Sequence, residues 1–150
     1  MTQRDDGTLS RDIQCAASSD ANVLISGSDQ RVRLAMARRI HGGSARRAEL
    51  LVHVRSGEPL HVVLERFERV GPTGTLFIEE ASALSAVAQA ELMRVLDRRS
   101  TRVIAATADT LLDRIASQSF DPNLFYRLNT LHLVLPGDYD SCEPHFPPPS

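Results

Sequence analysis

Five short apolar runs, separated by stretches with helical spacing, constrain this chain more than any other feature: Asn22 to Ser26, Leu50 to Val54, Thr75 to Ile78, Arg102 to Ala106 and Leu131 to Leu135. Runs of this length, rich in Val, Ile and Leu and alternating with helices, are the pattern of parallel strands buried on both faces. The expected fold is therefore α/β, with a mostly parallel central sheet flanked by helices. At 150 residues, 42% hydrophobic and 24% charged, the chain suits one globular core.

The intervening segments supply the helices. Val32, Ala35, Met36 and Ile40 form a stripe that stops at Gly42-Gly43. Leu60, Val63, Leu64, Phe67 and Val70 predict a crossover helix closed by Gly71-Pro72. Leu84, Val87, Ala88, Leu92, Val95 and Leu96 predict a third helix, with Gln89, Arg94 and Asp97 turned outward. Two shorter helices are expected at Leu111 to Ser117 and Asn123 to Asn129, with Pro122 at the start of the second. The division expected is a flexible polar leader over residues 1–8, the core over 9–136, and an acidic, Pro-rich disordered tail over 137–150.

Several functions are disfavoured by composition. A formal charge of -2 argues against coating nucleic acid through bulk charge. The amino terminus lacks a secretory signal, and no apolar run approaches the ~18 residues of a membrane span, so a soluble, cytoplasmic protein is expected. Cys15 and Cys142 lack CxxC spacing and read as free thiols, and the five histidines show no metal-ligand spacing and are assigned no chemistry.

The strand Thr75-Leu76-Phe77-Ile78 runs into Glu79-Glu80, two carboxylates placed where a magnesium ion and a hydrolytic water can sit beside a nucleotide. The phosphate loop that serves such a strand needs a lysine, yet all seventeen basic residues are arginines.

From about Leu9 to Pro136 the chain resembles the AAA+ ATPase domain of bacterial enhancer-binding proteins, the activators of sigma-54 RNA polymerase, in a truncated and degenerate form. The resemblance rests on Gly74 to Glu80 as the Walker B strand, Gln89 to Asp97 as the helix after it, and Val103 to Thr107 with Phe125 to Asn129 as the later strand and arginine-finger region. It implies a P-loop NTPase-like core whose lid subdomain is missing. It also implies that Gly27, Ser28 and Arg33 are the cofactor-binding positions, that Glu79 is the metal position, and that Glu80 and Arg127 are catalytic if the site is active.

The departures from the family pattern are specific. Gly27 to Leu34 occupies the place of G-x-x-x-x-G-K-[STE], with Val32 for the second glycine and Arg33 for the lysine. A β-branched residue suits the positive φ of such loops poorly, and a planar guanidinium is not a compact ammonium. Glu79 replaces aspartate, Ala108 follows Ala105-Ala106-Thr107 where the family has its sensor asparagine, and Asp121 replaces one of two arginines. Between Val54 and Leu64 there is no room for the GAFTGA loop that touches sigma-54, and a module without a DNA-binding helix-turn-helix after Pro136 is expected.

The expected function is thus a regulatory or protein-interaction module linked to transcription, which does not hydrolyse ATP and pairs with AAA+ subunits or with itself. The competing expectation is a weak oligomeric ATPase taking ATP or ADP with Mg, and a third is a decayed fragment. Arg31, Arg33, Arg38, Arg39, Arg46 and Arg47 cluster as either a basic face for phosphates or an acidic partner, or a solvated helix surface.

Overall fold

The computed structural model describes residues 2–135, with the backbone alone at residues 2–6 and 70. Strands β1 (Val23–Ser26), β2 (Leu51–Val54), β3 (Thr75–Ile78), β4 (Arg102–Thr107) and β5 (Leu131–Val134) fall on the five apolar runs. They form one parallel sheet in the order β2-β3-β4-β1-β5. The α/β architecture expected from the apolar runs is the one observed.

Period-two alternation sends successive strand residues to opposite faces. On one face Leu24, Leu76, Ile78, Val103 and Ala105 pack under helices α3 (Leu60–Val70), α4 (Ala86–Arg98), α5 (Leu111–Ala116) and α6 (Pro122–Leu128). On the other, Val23, Ile25, Phe77, Ile104 and Ala106 pack under α1 (Thr2–Ser18) and α2 (Gln30–Gly42). The central strands β3 and β4 are buried throughout, which is why their sequences carry no polar alternation.

Three expectations are corrected. Residues 2–8, read as a leader, belong to α1, a helix whose Ile13, Ala16 and Ala17 are buried. Fully buried Arg102 fastens the end of α1 to β4, donating from Nη2 to the Ala16 carbonyl at 2.6 Å and from Nε to Ala21 at 2.9 Å. The buried stripe of α2 is Arg33, Ala37, Ile40 and His41, a rotation away from the expected stripe, so Val32 and Ala35 face out. In α4, Gln89 points inward at 5% exposure while Val87 stands 70% exposed. The Gln89 amide donates to the Leu84 and Ser119 carbonyls and accepts from the Asp121 N–H at 2.8 Å, pinning the α5–α6 connection. The tail over 137–150, Cys142 and the place where a lid would follow lie outside the described residues. No described helix is long and apolar enough to cross a membrane.

Candidate functional site

In a doubly wound sheet, ligands bind beyond the carboxyl ends of the strands, where the strand order reverses. Here the ends of β1, β3 and β4 converge: the Gly27 N–H donates to the Thr107 carbonyl at 3.1 Å, and the Ala108 N–H donates to Glu80 Oε1 at 2.9 Å. Residues 27–29 alone join β1 to α2, so Val32 and Arg33, placed by sequence in a phosphate loop, are helical.

The turn is filled by the chain's own groups. Asp29 caps α2, its Oδ1 accepting from the Arg31 N–H at 2.9 Å and the Val32 N–H at 3.4 Å. Helix amino termini attract anions through free N–H groups and the helix dipole, and here a carboxylate of the same chain takes that role. A Cβ at Gly27 would collide with the Leu135 side chain, so close packing of the strand after β5 is reason enough for that glycine. Ser28 lies in the same turn.

Arg33 is turned into the protein, only 4% exposed. Its Nη1 donates to the Gly27 carbonyl at 2.5 Å and its Nη2 lies 3.5 Å from Glu80 Oε1. Its Nε is buried with no hydrogen-bond partner. Glu80, besides holding Arg33 and the Ala108 N–H through Oε1, accepts at Oε2 from the Ser82 hydroxyl at 2.6 Å and the Ser82 N–H at 3.4 Å. It thereby caps the 3-10 turn Ala81–Ala83.

Glu79, 8% exposed, faces the other side of β3 and is equally engaged. His53 Nε2 lies 2.7 Å from its Oε1, and the Ser56 N–H donates to its Oε2 at 3.2 Å. Burial works against its ionisation, but the Ser56 amide, the His53 ring and the Gln30 side chain outweigh it and hold the carboxyl below its usual range. His53, given no chemistry by sequence, is brought here by register: it pairs with Phe77 across β2 and β3, two residues from Glu79 on the same face. No cluster of three or more metal-capable side chains occurs among the described residues, so Glu79 would hold a metal ion with few protein ligands beside it.

Arg127 lies elsewhere. Its Nη1 bonds to Asp97 Oδ1 at 2.5 Å, and its carbonyl accepts from the Asn22 side chain at 3.3 Å, at the amino end of β1. A four-residue strand, about 13 Å long, separates it from the carboxyl edge. The fold therefore brings Gly27, Ser28, Arg33, Glu79 and Glu80 together and leaves Arg127 at the opposite edge, available to such a site only from another subunit. Asp121, at the second arginine position, is the N-cap of α6, accepting from the Asn123 N–H at 2.9 Å. Ala108 contributes its backbone N–H to Glu80 and has no side-chain amide with which to sense a ligand.

The family described as "Sigma-54 interaction domain" matches residues 7–137. The chain belongs to the sigma-54 interaction domain family. Its curated relatives include the anaerobic nitric oxide reductase transcription regulators NorR of Salmonella arizonae, 32% identical over 161 positions, covering 85% of the chain and 32% of the regulator. The Klebsiella pneumoniae regulator of the same name is 32% identical, with 86% and 31% covered. This sigma-54 interaction domain thus spans about a third of the length of those relatives. The aligned positions outnumber the 150 residues of the chain, so within the shared region the relatives carry residues that it lacks. Among solved structures, NtrX from Brucella abortus in complex with ATP superposes with a TM-score of 0.77 at 23% identity over 91% of this chain and 38% of that one. The P-loop NTPase domain of a sigma-54 activator from E. coli gives 0.68 at 21% identity, over 83% and 98%. These likenesses establish the AAA+ P-loop NTPase fold for this sigma-54 interaction domain.

Proposed function

We propose that this chain is a sigma-54-type AAA+ module that does not hydrolyse ATP and acts in transcription regulation through contact with other AAA+ subunits or with its own copies. One observation carries the reading: the position that receives phosphate in this fold is occupied by the Asp29 carboxylate, while Arg33, in place of the lysine, spends its charge on Gly27 and Glu80. An incoming triphosphate must displace an internal anion and pull a buried guanidinium outward, and the energy of both steps is subtracted from binding. The Ala108 and Asp121 substitutions support the same reading, since neither residue can stabilise charge on a γ-phosphate.

The short link between β2 and α3, residues 55–59, supports a module without the GAFTGA loop and hence without direct sigma-54 contact. The surplus of aligned positions in the NorR relatives agrees with such a loss. A location in the cytoplasm follows from the regulatory role.

The competing reading, a weak ATPase working as an oligomer, draws on the adjacency of Arg33 and Glu80, on Glu79 as a magnesium position, and on the ATP and ADP named in the NtrX structures. It requires Arg127 from a neighbouring copy. Phosphate release by the purified chain with ATP and magnesium separates the two: background rates are expected, whereas turnover that Arg127→Ala abolishes would establish the ATPase.

A further inference from the structure

The six-arginine cluster seen in the sequence divides in three dimensions. Arg33 is buried, Arg46 is spent on Asp20 and on the Thr73 and Ser100 carbonyls, and Arg47 donates to the Ser44 carbonyl at 3.2 Å. Arg31, Arg38 and Arg39 remain exposed and, among the described residues, make no ion pair. At 3.6 residues per turn, these three and the exposed Ala35 fall within an arc of about 100°, opposite the arc that carries buried Arg33, Ala37 and Ile40. The outer face of α2 is therefore a continuous guanidinium ridge around a small residue, a shape that admits an extended acidic segment between its charges.

The chain supplies such a segment. The Leu135 N–H donates to the Ser26 carbonyl at 2.9 Å, and the Leu135 side chain fills the space over Gly27, so the last described residue lies beside the β1–α2 turn. Residues 136–150 carry Asp138, Asp140 and Glu143 and no lysine or arginine. Extended chain covers about 3.3 Å per residue, so these acids reach about 10, 17 and 26 Å from Leu135. The ridge from Arg31 to Arg39 is about 12 Å long at 1.5 Å per residue.

We propose that the acidic segment after β5 docks in cis on the outer face of α2, with Asp138, Asp140 and Glu143 against Arg31, Arg38 and Arg39. The contact is electrostatic and reversible, since exposed ion pairs are individually weak and screened by salt. Its effect is to cover the ridge, so that an acidic protein partner competes with the chain's own carboxylates.

A nitroxide on Cys142 in the full chain, with exposed Cys15 changed to Ser, tests this by paramagnetic broadening of backbone amides. At about 0.05 M salt, amides of residues 31–39 should broaden several-fold more than those of α3 and α4 on the opposite face. The difference should vanish at about 1 M salt, where the screening length is about 3 Å. It should also vanish in Asp138→Asn with Asp140→Asn and Glu143→Gln, which leaves the folded core untouched, and in Arg31→Gln with Arg38→Gln and Arg39→Gln. Uniform broadening, salt-independent broadening at α2, or broadening removed by dilution with diamagnetic chain would overturn the cis contact.

Discussion

Glu80 distinguishes most sharply between a carboxylate kept for hydrolysis and one kept for structure. A catalytic glutamate that only orients water is replaceable without loss of stability. Here Glu80→Ala strips the acceptor from four donors at once: the Arg33 guanidinium, the Ala108 N–H, and the Ser82 hydroxyl and N–H. The Ala108 and Ser82 groups lie near solvent and are rehydrated, so their loss costs little. Arg33 is 4% exposed and loses its carboxylate partner. Breaking a buried pair typically costs ~3–5 kcal/mol. The 3.5 Å separation and the part exposure of Glu80, at 16% of its side chain, reduce that to about 2–3 kcal/mol. For a chain of this size each kcal/mol shifts the melting temperature by ~2–4 °C, so a fall of about 5–10 °C is expected. Urea unfolding followed by far-ultraviolet circular dichroism should show a lower midpoint at unchanged slope, and Arg33→Met combined with Glu80→Ala should recover most of the loss. A Glu80→Ala protein within about 0.5 kcal/mol of the parent would refute the structural role.

Further outcomes follow from neighbouring residues. Gln89→Leu leaves the Asp121 N–H and two carbonyls without partners and should cost about 1–3 kcal/mol in the same urea titration, with no change expected if the amide were merely solvated. Gly27→Ala forces a methyl group into the Leu135 side chain and should destabilise by about 1–3 kcal/mol, whereas a neutral result would mean that the strand end shifts freely. The Glu79 carboxyl titrates below its reference of 4.5, so the folded state binds fewer protons there than the unfolded chain. Its contribution is present above about pH 4.5 and disappears as pH falls through the lower folded value. Glu79→Gln should therefore flatten the acid limb of the stability–pH curve, and superimposable limbs would count against the His53 and Ser56 contacts.

The strands were legible because buried parallel strands need runs of β-branched and aliphatic residues, and helices between them leave few other arrangements. The α2 stripe was misphased because its buried face carries Arg33 and His41, which any hydrophobic pattern scores as surface. His41 is satisfied inside by Thr75 and the Glu49 carbonyl, contacts 34 and 8 residues away that local spacing cannot reveal. Gln89 was misplaced for the same reason, being buried to serve the Ser119–Asp121 backbone. α1 escaped because its long polar sequence carries only Leu9, Ile13, Ala16 and Ala17 for burial. At the candidate site, the acids after β3 and the arginine in place of lysine were readable as residue types. The partner of each depended on the fold: His53 on strand register, Arg33 on the inward turn of α2, and Arg127 on a place at the far end of the sheet. The cap at Asp29 had a local signal, an aspartate directly before a helical stripe.

The central claim is that the β1–α2 turn is already occupied by the chain's own carboxylate and arginine and so does not grip a triphosphate. Isothermal titration of the full chain with ATP and ADP, with and without magnesium, tests it directly, with Val32→Gly plus Arg33→Lys in parallel. No saturable binding tighter than about 1 mM is expected for the parent, corresponding to less than about 4 kcal/mol. Micromolar ATP affinity in the unaltered protein would contradict the claim.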